Sequence, residues 1–238
     1  SRKKFYDKTD NPIAVSDLFK QPKLANTLFL ISRKGKEAFY EGEIAKWIEE
    51  DSLNNGGLIT LEDLAAYEAK ERKPISIDYR GYEIVSMAPV ASGGLVLLQI
   101  MSILENFDLK TLGPNSAETV HLLSESMQRA YADRARYHGD PDYYNVPIKK
   151  LLSKDYLKER SKSITKSRTE DGKIYAGDMS KVDESPDTTH FSVIDSKGNA
   201  VSTTYTLGSS FGSGVTIEKG GFLMNNQMRN FSHFYGKS

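Results

Sequence analysis

The 238-residue chain predicts a mixed α+β fold with helices and strands in packed layers. Two patterns predict it: apolar residues recur at helical spacing through the first half, and β-branched alternation takes over after Asp187. A composition of 38% hydrophobic and 27% charged residues is ordinary for a globular chain that closes a core, and the length suits one to two domains.

Pro22 suits the first turn of a helix carrying Leu24, Leu28 and Ile31, and Gly35 is placed to stop it. Phe39, Ile44, Trp47 and Ile48 mark a second amphipathic segment. Asn54-Asn55-Gly56-Gly57 is a turn cluster, and Thr60 before Leu61-Glu62-Asp63 reads as an N-cap opening a short helix to about Tyr67. Residues 74 to 87 read as a hairpin: Ile75, Ile77 and Tyr79 alternate with polar neighbours, Arg80-Gly81 turns, and Tyr82, Ile84 and Ser86 resume.

Gly93-Gly94 opens an apolar run from Leu95 to Leu104 that suits a buried helix, and Ser116 caps a longer one from Ala117 to about His138. Residues 152 to 186 are poor in large apolar groups and read as a surface connection. Phe191, Val193 and Asp195 then alternate with His190, Ser192 and Ile194, Ser196 to Asn199 turn, and Ala200 to Thr206 form a β-branched strand. A glycine-serine loop, Gly208 to Gly214, precedes another strand at Phe222-Leu223-Met224. No internal repeat is visible.

Charge and composition exclude several functions. Thirty-two basic residues cancel thirty-two acidic ones, so no global field would concentrate nucleic acid or an anionic membrane. Zero cysteines exclude a disulfide scaffold, a thiolate metal site and a cysteine nucleophile, while leaving the compartment open. No apolar run approaches the roughly 18 residues that span a bilayer, and Ser1-Arg2-Lys3-Lys4 lacks the apolar stretch of a signal peptide. The ending after Phe231-Ser232-His233-Phe234-Tyr235 suggests a processed or truncated piece.

Four histidines, His121, His138, His190 and His233, show no metal-binding spacing and read as solvated or core residues. The basic, serine-rich stretch from Lys154 to Lys173 interleaves acids and lacks aromatic residues for base stacking, so it reads as solvated. Gly208-Ser209-Ser210-Phe211-Gly212 matches a nucleophile elbow formally, but that motif requires a strand, a sharp turn and a helix, whereas more glycine and β-branched residues come after Ser210. Asp187-Thr188-Thr189-His190 stands where a polar segment meets a strand. A threonine freed at a new N-terminus can attack with its hydroxyl while its own α-amine takes the proton.

Thr188 to Asp195, Gly198 to Ser202, Thr204-Tyr205-Thr206-Leu207, Phe211 to Gly214 and Leu223 to Met228 together resemble the small-subunit start of γ-glutamyltranspeptidases. Upstream, Gly56 to Thr60, Asp63 to Tyr67, Arg72 to Ile75, Asp78 to Tyr82, Ser92-Gly93-Gly94, Glu105 to Asp108, Ala130 to Arg134 and Gly139 to Tyr143 resemble the second half of the large subunit, in order. The resemblance covers nearly the whole chain. It implies part of the αββα N-terminal nucleophile hydrolase sandwich, with residues 1–187 from the large subunit and 188–238 from the small subunit of one structural domain.

The resemblance further implies autocatalytic cleavage between Asp187 and Thr188, with Thr188 as nucleophile on a small γ-glutamyl substrate such as glutathione. Thr206 matches the supporting threonine, and Gln227 matches a residue holding the amino end of the substrate. Gly208 stands where many members carry a substrate-contacting asparagine, and Asn230 where they carry an aspartate that pairs with the substrate α-ammonium. That departure keeps capsule-depolymerase-like and acylase-like substrates open, beside a non-catalytic binding homologue.

No cofactor or metal is implied. The partners implied are the substrate and the two subunits of one precursor, and the compartment is periplasmic or secreted. The family's carboxylate-binding arginine, lid tyrosine, paired serines and oxyanion glycines are expected outside these 238 residues, so the chain alone is expected to be inactive; losing an oxyanion donor costs ~10²–10³ in rate.

Overall fold

A computed structural model describes residues 5–6, 11–170, 173–174 and 189–231. The expected scissile pair, Asp187 and Thr188, lies outside the described residues. The chain forms two compact units, Ser1–Ala69 with Asp183–Asn230 and Lys70–Val182 with Phe231–Ser238.

The first unit begins with α1, Pro22–Lys34, which has proline in its first turn and Arg33 and Lys34 at its C-terminal end, where the helix dipole favours cations. Gly35 closes it at φ 63° and donates to Ile31 O at 2.7 Å. The single amphipathic segment expected next is two helices, α2 Lys36–Tyr40 and α3 Glu43–Asn54. The break falls at Gly42, where a Cβ would lie 3.0 Å from the Ala38 backbone, so the bend needs a residue without one.

Thr60 caps α4, Leu61–Ala65, in a reciprocal capping box with Asp63. Two antiparallel hairpins complete the unit: β3 Thr189–Ile194 with β4 Ala200–Tyr205, and the two-residue strands β5 Thr216–Ile217 and β6 Phe222–Leu223. The expected strands end one residue early, at Tyr205 and Leu223, and β5 carried no sequence signal. The core joins distant parts of the chain: Ala38, Ile44, Ile48 and Ile217 are buried, with Phe39, Trp47, Phe222 and Met224 packed around them.

In the second unit, β1 Ile75–Tyr79 pairs with β2 Tyr82–Ser86 across Arg80-Gly81, both at positive φ as a tight two-residue turn requires. The apolar helix α5 spans Ser92–Leu104 and buries Leu95, Leu98 and Ile103. After the short α6, Leu109–Leu112, helix α7 runs Ala117–Tyr137 behind its Ser116 cap. The short α8, Ile148–Leu151, precedes α9, Lys154–Lys162.

The presence of α9 corrects the expected surface connection over 152–186. Leu157 and Ser161 are buried, and Arg160 reaches Asp133 on α7 at 2.9 Å. A charged helix can bury one face when its cation is paired. The mixed α+β class is as the sequence reads, in three separate two-stranded sheets among the described residues.

Candidate active site

The candidate site residues lie on the first hairpin of the first unit, β3–β4, and the loops after it. The β3–β4 register runs from Ile194↔Ala200 to Thr189↔Tyr205. It is pinned at the turn by Asp195, whose carboxylate accepts from the amides of Lys197 and Asn199, each at 2.9 Å, and from Asn199 Nδ2 at 2.8 Å. The Asn199 side chain and these amides hold the Asp195 carboxyl below the usual carboxylate range. The turn thereby fixes which residues face each other at the far end.

Side chains of a hairpin alternate between its faces. On one, His190 Nδ1 meets Thr204 Oγ1 at 2.6 Å, while Nε2 lies 3.1 Å from Ser202 Oγ and 3.3 Å from Ser192 Oγ. On the other, the Phe191 and Tyr205 rings meet edge-on at 6.2 Å. Thr206, two residues after Thr204, follows the last paired residue and accepts from the amide of Gly208 at 3.0 Å.

The following loop folds back on the segment after β6. Asn226 N donates to Leu207 O at 2.6 Å, Ser213 N to Met224 O at 3.0 Å, and Met224 N to Val215 O at 2.9 Å. Glycines allow this closeness: a Cβ on Gly208, at φ 84°, would lie 3.3 Å from the Asn226 backbone, and one on Gly212, at φ 56°, would lie 2.0 Å from Met224 O. The chain then enters a 3-10 turn, Gln227–Asn230, in which Asn230 Nδ2 donates to Gln227 Oε1 at 2.8 Å.

Thr206 and Gly208 are thus joined by one hydrogen bond, and Gln227 and Asn230 by another. The Leu207–Asn226 backbone bond ties the two pairs together. Thr188 and Asp187 lie outside the described residues. Ser210 sits in a turn that leads into β5 rather than a helix, which is not the setting of a nucleophile elbow. Sequence reasoning missed the His190 cluster and Arg229, whose Nη1 donates to Ser209 Oγ at 3.1 Å. Strand alternation could have flagged the first; nothing local announces the second. Among the described residues no group of three His, Asp or Glu side chains could hold a metal, and no helix is long and apolar enough to cross a membrane.

A family profile described as gamma-glutamyltranspeptidase matches residues 1–238. The chain belongs to the γ-glutamyltranspeptidase family. A glutathione hydrolase proenzyme of Escherichia coli K12 is 45% identical over 231 residues, which cover 97% of this chain and 40% of that protein. The chain therefore spans well under half the length of this relative.

Among solved structures, Helicobacter pylori γ-glutamyltranspeptidase superposes with a TM-score of 0.69 at 41% identity, covering 74% of this chain and 53% of that one. A cephalosporin acylase from Bacillus halodurans superposes with a TM-score of 0.82 at 30% identity, covering 98% and 41%. The fold is that of the N-terminal nucleophile hydrolases in its γ-glutamyltranspeptidase and acylase form.

Proposed function

We propose that the full-length protein is a γ-glutamyl hydrolase and transferase acting on glutathione or a related γ-glutamyl compound, activated by its own cleavage between Asp187 and Thr188. The hydroxyl of Thr188 attacks the γ-carbonyl, its α-amine accepts the hydroxyl proton and passes it to the leaving nitrogen as the amide C–N bond breaks, and an ester to Thr188 remains. Water or an acceptor amine then attacks the ester, releasing glutamate or a new γ-glutamyl amide and restoring the hydroxyl. Thr206 supports the nucleophile, while Gly208, Gln227 and Asn230 line the donor pocket.

One observation carries this reading: Thr206 follows Tyr205, the residue paired with Thr189, and Thr188 immediately precedes Thr189. The nucleophile and its supporting threonine are one residue beyond the same terminal pair of a hairpin whose far turn is fixed by Asp195. The cut separates a large-subunit piece, 1–187, from a small-subunit piece, 188–238. Both contribute to the core of the first unit, through Ile44 and Ile48 on one side and Ile217 on the other, so the two stay associated. The compartment is periplasmic or secreted.

An acylase is the second reading, favoured by Asn230, which offers a substrate ammonium a dipole in place of a charge. Mass spectrometry of the full-length protein should find a fragment beginning at Thr188, absent in Thr188→Ala. Thr206→Val keeps the branched shape and removes the hydroxyl, so kcat should fall at least tenfold with unchanged Tm. Cleavage of Thr188→Ala at the same place would end the proposal.

A further inference from the structure

One face of the β3–β4 hairpin gathers an imidazole and three hydroxyls. His190 stands opposite Thr204 in the register, and Ser192 opposite Ser202. The shortest contact is His190 Nδ1 to Thr204 Oγ1 at 2.6 Å, while Nε2 lies between Ser202 Oγ at 3.1 Å and Ser192 Oγ at 3.3 Å. The two serine oxygens are themselves 3.4 Å apart. All four residues are exposed, so packing does not hold the ring, and these bonds set its orientation. A hydroxyl can both donate and accept, so either neutral tautomer satisfies both ring nitrogens.

We infer that His190 is a positioning residue: its Nδ1 bond to Thr204 latches the open end of the hairpin, at which Thr188 and Thr206 stand. The inference rests on the acyl-transfer reading above. Thr188 comes two residues before His190 and Thr206 two after Thr204, so the latched pair is the next one inward, in alternation, on the strands that carry both threonines. The Asp195 turn fixes only the opposite end, beyond the Ile194–Ala200 pair. Once the chain is cut before Thr188, β3 begins next to the nucleophile, and a strand at a chain end frays unless cross-strand contacts hold it. The edge-on contact of Phe191 with Tyr205 holds one face, and the His190–Thr204 bond holds the other. Fraying moves the attacking hydroxyl out of line, which lowers kcat and self-cleavage together because both use that hydroxyl.

The test uses the full-length protein and amide side chains that each reproduce one ring nitrogen. The amide of Asn stands in for Nδ1, and that of Gln, one methylene longer, for Nε2. His190→Asn therefore keeps a partner for Thr204, whereas His190→Gln keeps one for the serines. His190→Gln should lower both the self-cleavage rate and kcat for γ-glutamyl-p-nitroanilide about tenfold with KM unchanged, and His190→Asn should stay within about threefold of wild type. Thr204→Val should match His190→Gln, and the double variant should be no slower than either single one. Exposed substitutions move Tm little, so a merely structural role for His190 gives no kcat loss and no ranking of Asn above Gln.

Equal rates for His190→Asn and His190→Gln, a change in KM instead of kcat, or additive losses in the double variant overturn the latch while leaving cleavage at Thr188 intact. If His190→Gln does not cleave itself, self-cleavage of His190→Asn decides: a rate near wild type upholds the latch, and failure overturns it. If the wild type cleaves itself but does not turn over this donor, the self-cleavage order of the two variants decides in the same way. A wild type that never cleaves itself sinks the acyl-transfer reading and this inference with it, which mass spectrometry shows before any donor is added.

Discussion

Acidification from pH 7 to pH 5 should destabilise the second unit through His138 by about 2 kcal/mol, a magnitude set by a displaced pKa. His138 ends α7, and both ring nitrogens are buried without a hydrogen-bond partner. A helix C-terminus ordinarily favours a charged imidazole by a few tenths to about 1 kcal/mol. Here burial, aided by the nearby Arg134 guanidinium, outweighs it and lowers the pKa from 6.5 to about 4.

The sign follows from proton counting. Below pH 6.5 the unfolded chain takes up a proton that the native ring refuses until about pH 4, so native stability falls by about 1.4 kcal/mol per pH unit across that window. Two buried carboxyls also respond, in opposite directions. Burial raises the Asp133 carboxyl against the pull of Arg160, Tyr156 and Gln99, so its contribution is lost as pH rises. Burial also pushes Glu125 up, but the hydroxyl and amide of Thr169 and the Arg129 guanidinium outweigh it and hold the carboxyl low, so its contribution is lost as pH falls.

The control for these is His138→Phe, which keeps a flat ring and removes both orphaned nitrogens. Urea unfolding at pH 7, 6 and 5 should show this variant as stable as wild type or about 1 kcal/mol more so at pH 7. Its advantage should widen by about 2 kcal/mol at pH 5, with m unchanged. Parallel stability-against-pH curves for the two proteins would refute the reasoning.

Asp133→Ala should cost about 3–5 kcal/mol in urea unfolding, because it strips the acceptor from Gln99 Nε2 at 2.9 Å, Tyr156 OH at 2.8 Å and Arg160 Nη2 at 2.9 Å inside the second unit. Asp133→Asn should cost clearly less, since the Gln99 amide can turn and use its unpartnered Oε1, and equal losses would discredit the network. Gly212→Ala meets the backbone carbonyl of Met224 at 2.0 Å in a left-handed conformation, so it should lower self-cleavage of the full-length protein at least tenfold, followed by gel densitometry. Cleavage at the wild-type rate would mean that the loop of residues 207–215 can shift without disturbing the site.

Local physics explains which elements were legible. The Thr60–Asp63 capping box and the Arg80-Gly81 turn are each settled within four residues, so sequence reads them directly. Helix α9 escaped because its buried side depends on the pairing of Arg160 with Asp133, and an apolar-periodicity reading counts an arginine as solvated. The division at Gly42 escaped for a related reason: the apolar spacing runs on through it, and only the crowded approach to Ala38 shows why the helix bends.

The site divides along the same line. Thr206, Gly208, Gln227 and Asn230 enter the candidate site through family motifs, and their mutual bonds are short-range consequences of a glycine loop and a 3-10 turn. The bond of Arg229 to Ser209, 20 residues earlier, had no local signal. The position of the whole loop is more distant still. Ile217 packs on Ile44 and Ile48, Thr27 Oγ1 donates to Gly220 O at 2.8 Å, and a Cβ on Gly221 would lie 2.8 Å from Leu24 N.

Burying an isoleucine such as Ile217 is worth about 1.5–3 kcal/mol, and the Thr27 bond about 1 kcal/mol more. The helices of the first 54 residues therefore hold the β5–β6 hairpin between the two segments of the candidate site with an energy that needs no peptide bond at residue 187. Under the proposed cleavage, such a core would let the chain be cut before Thr188 without releasing the half that carries it.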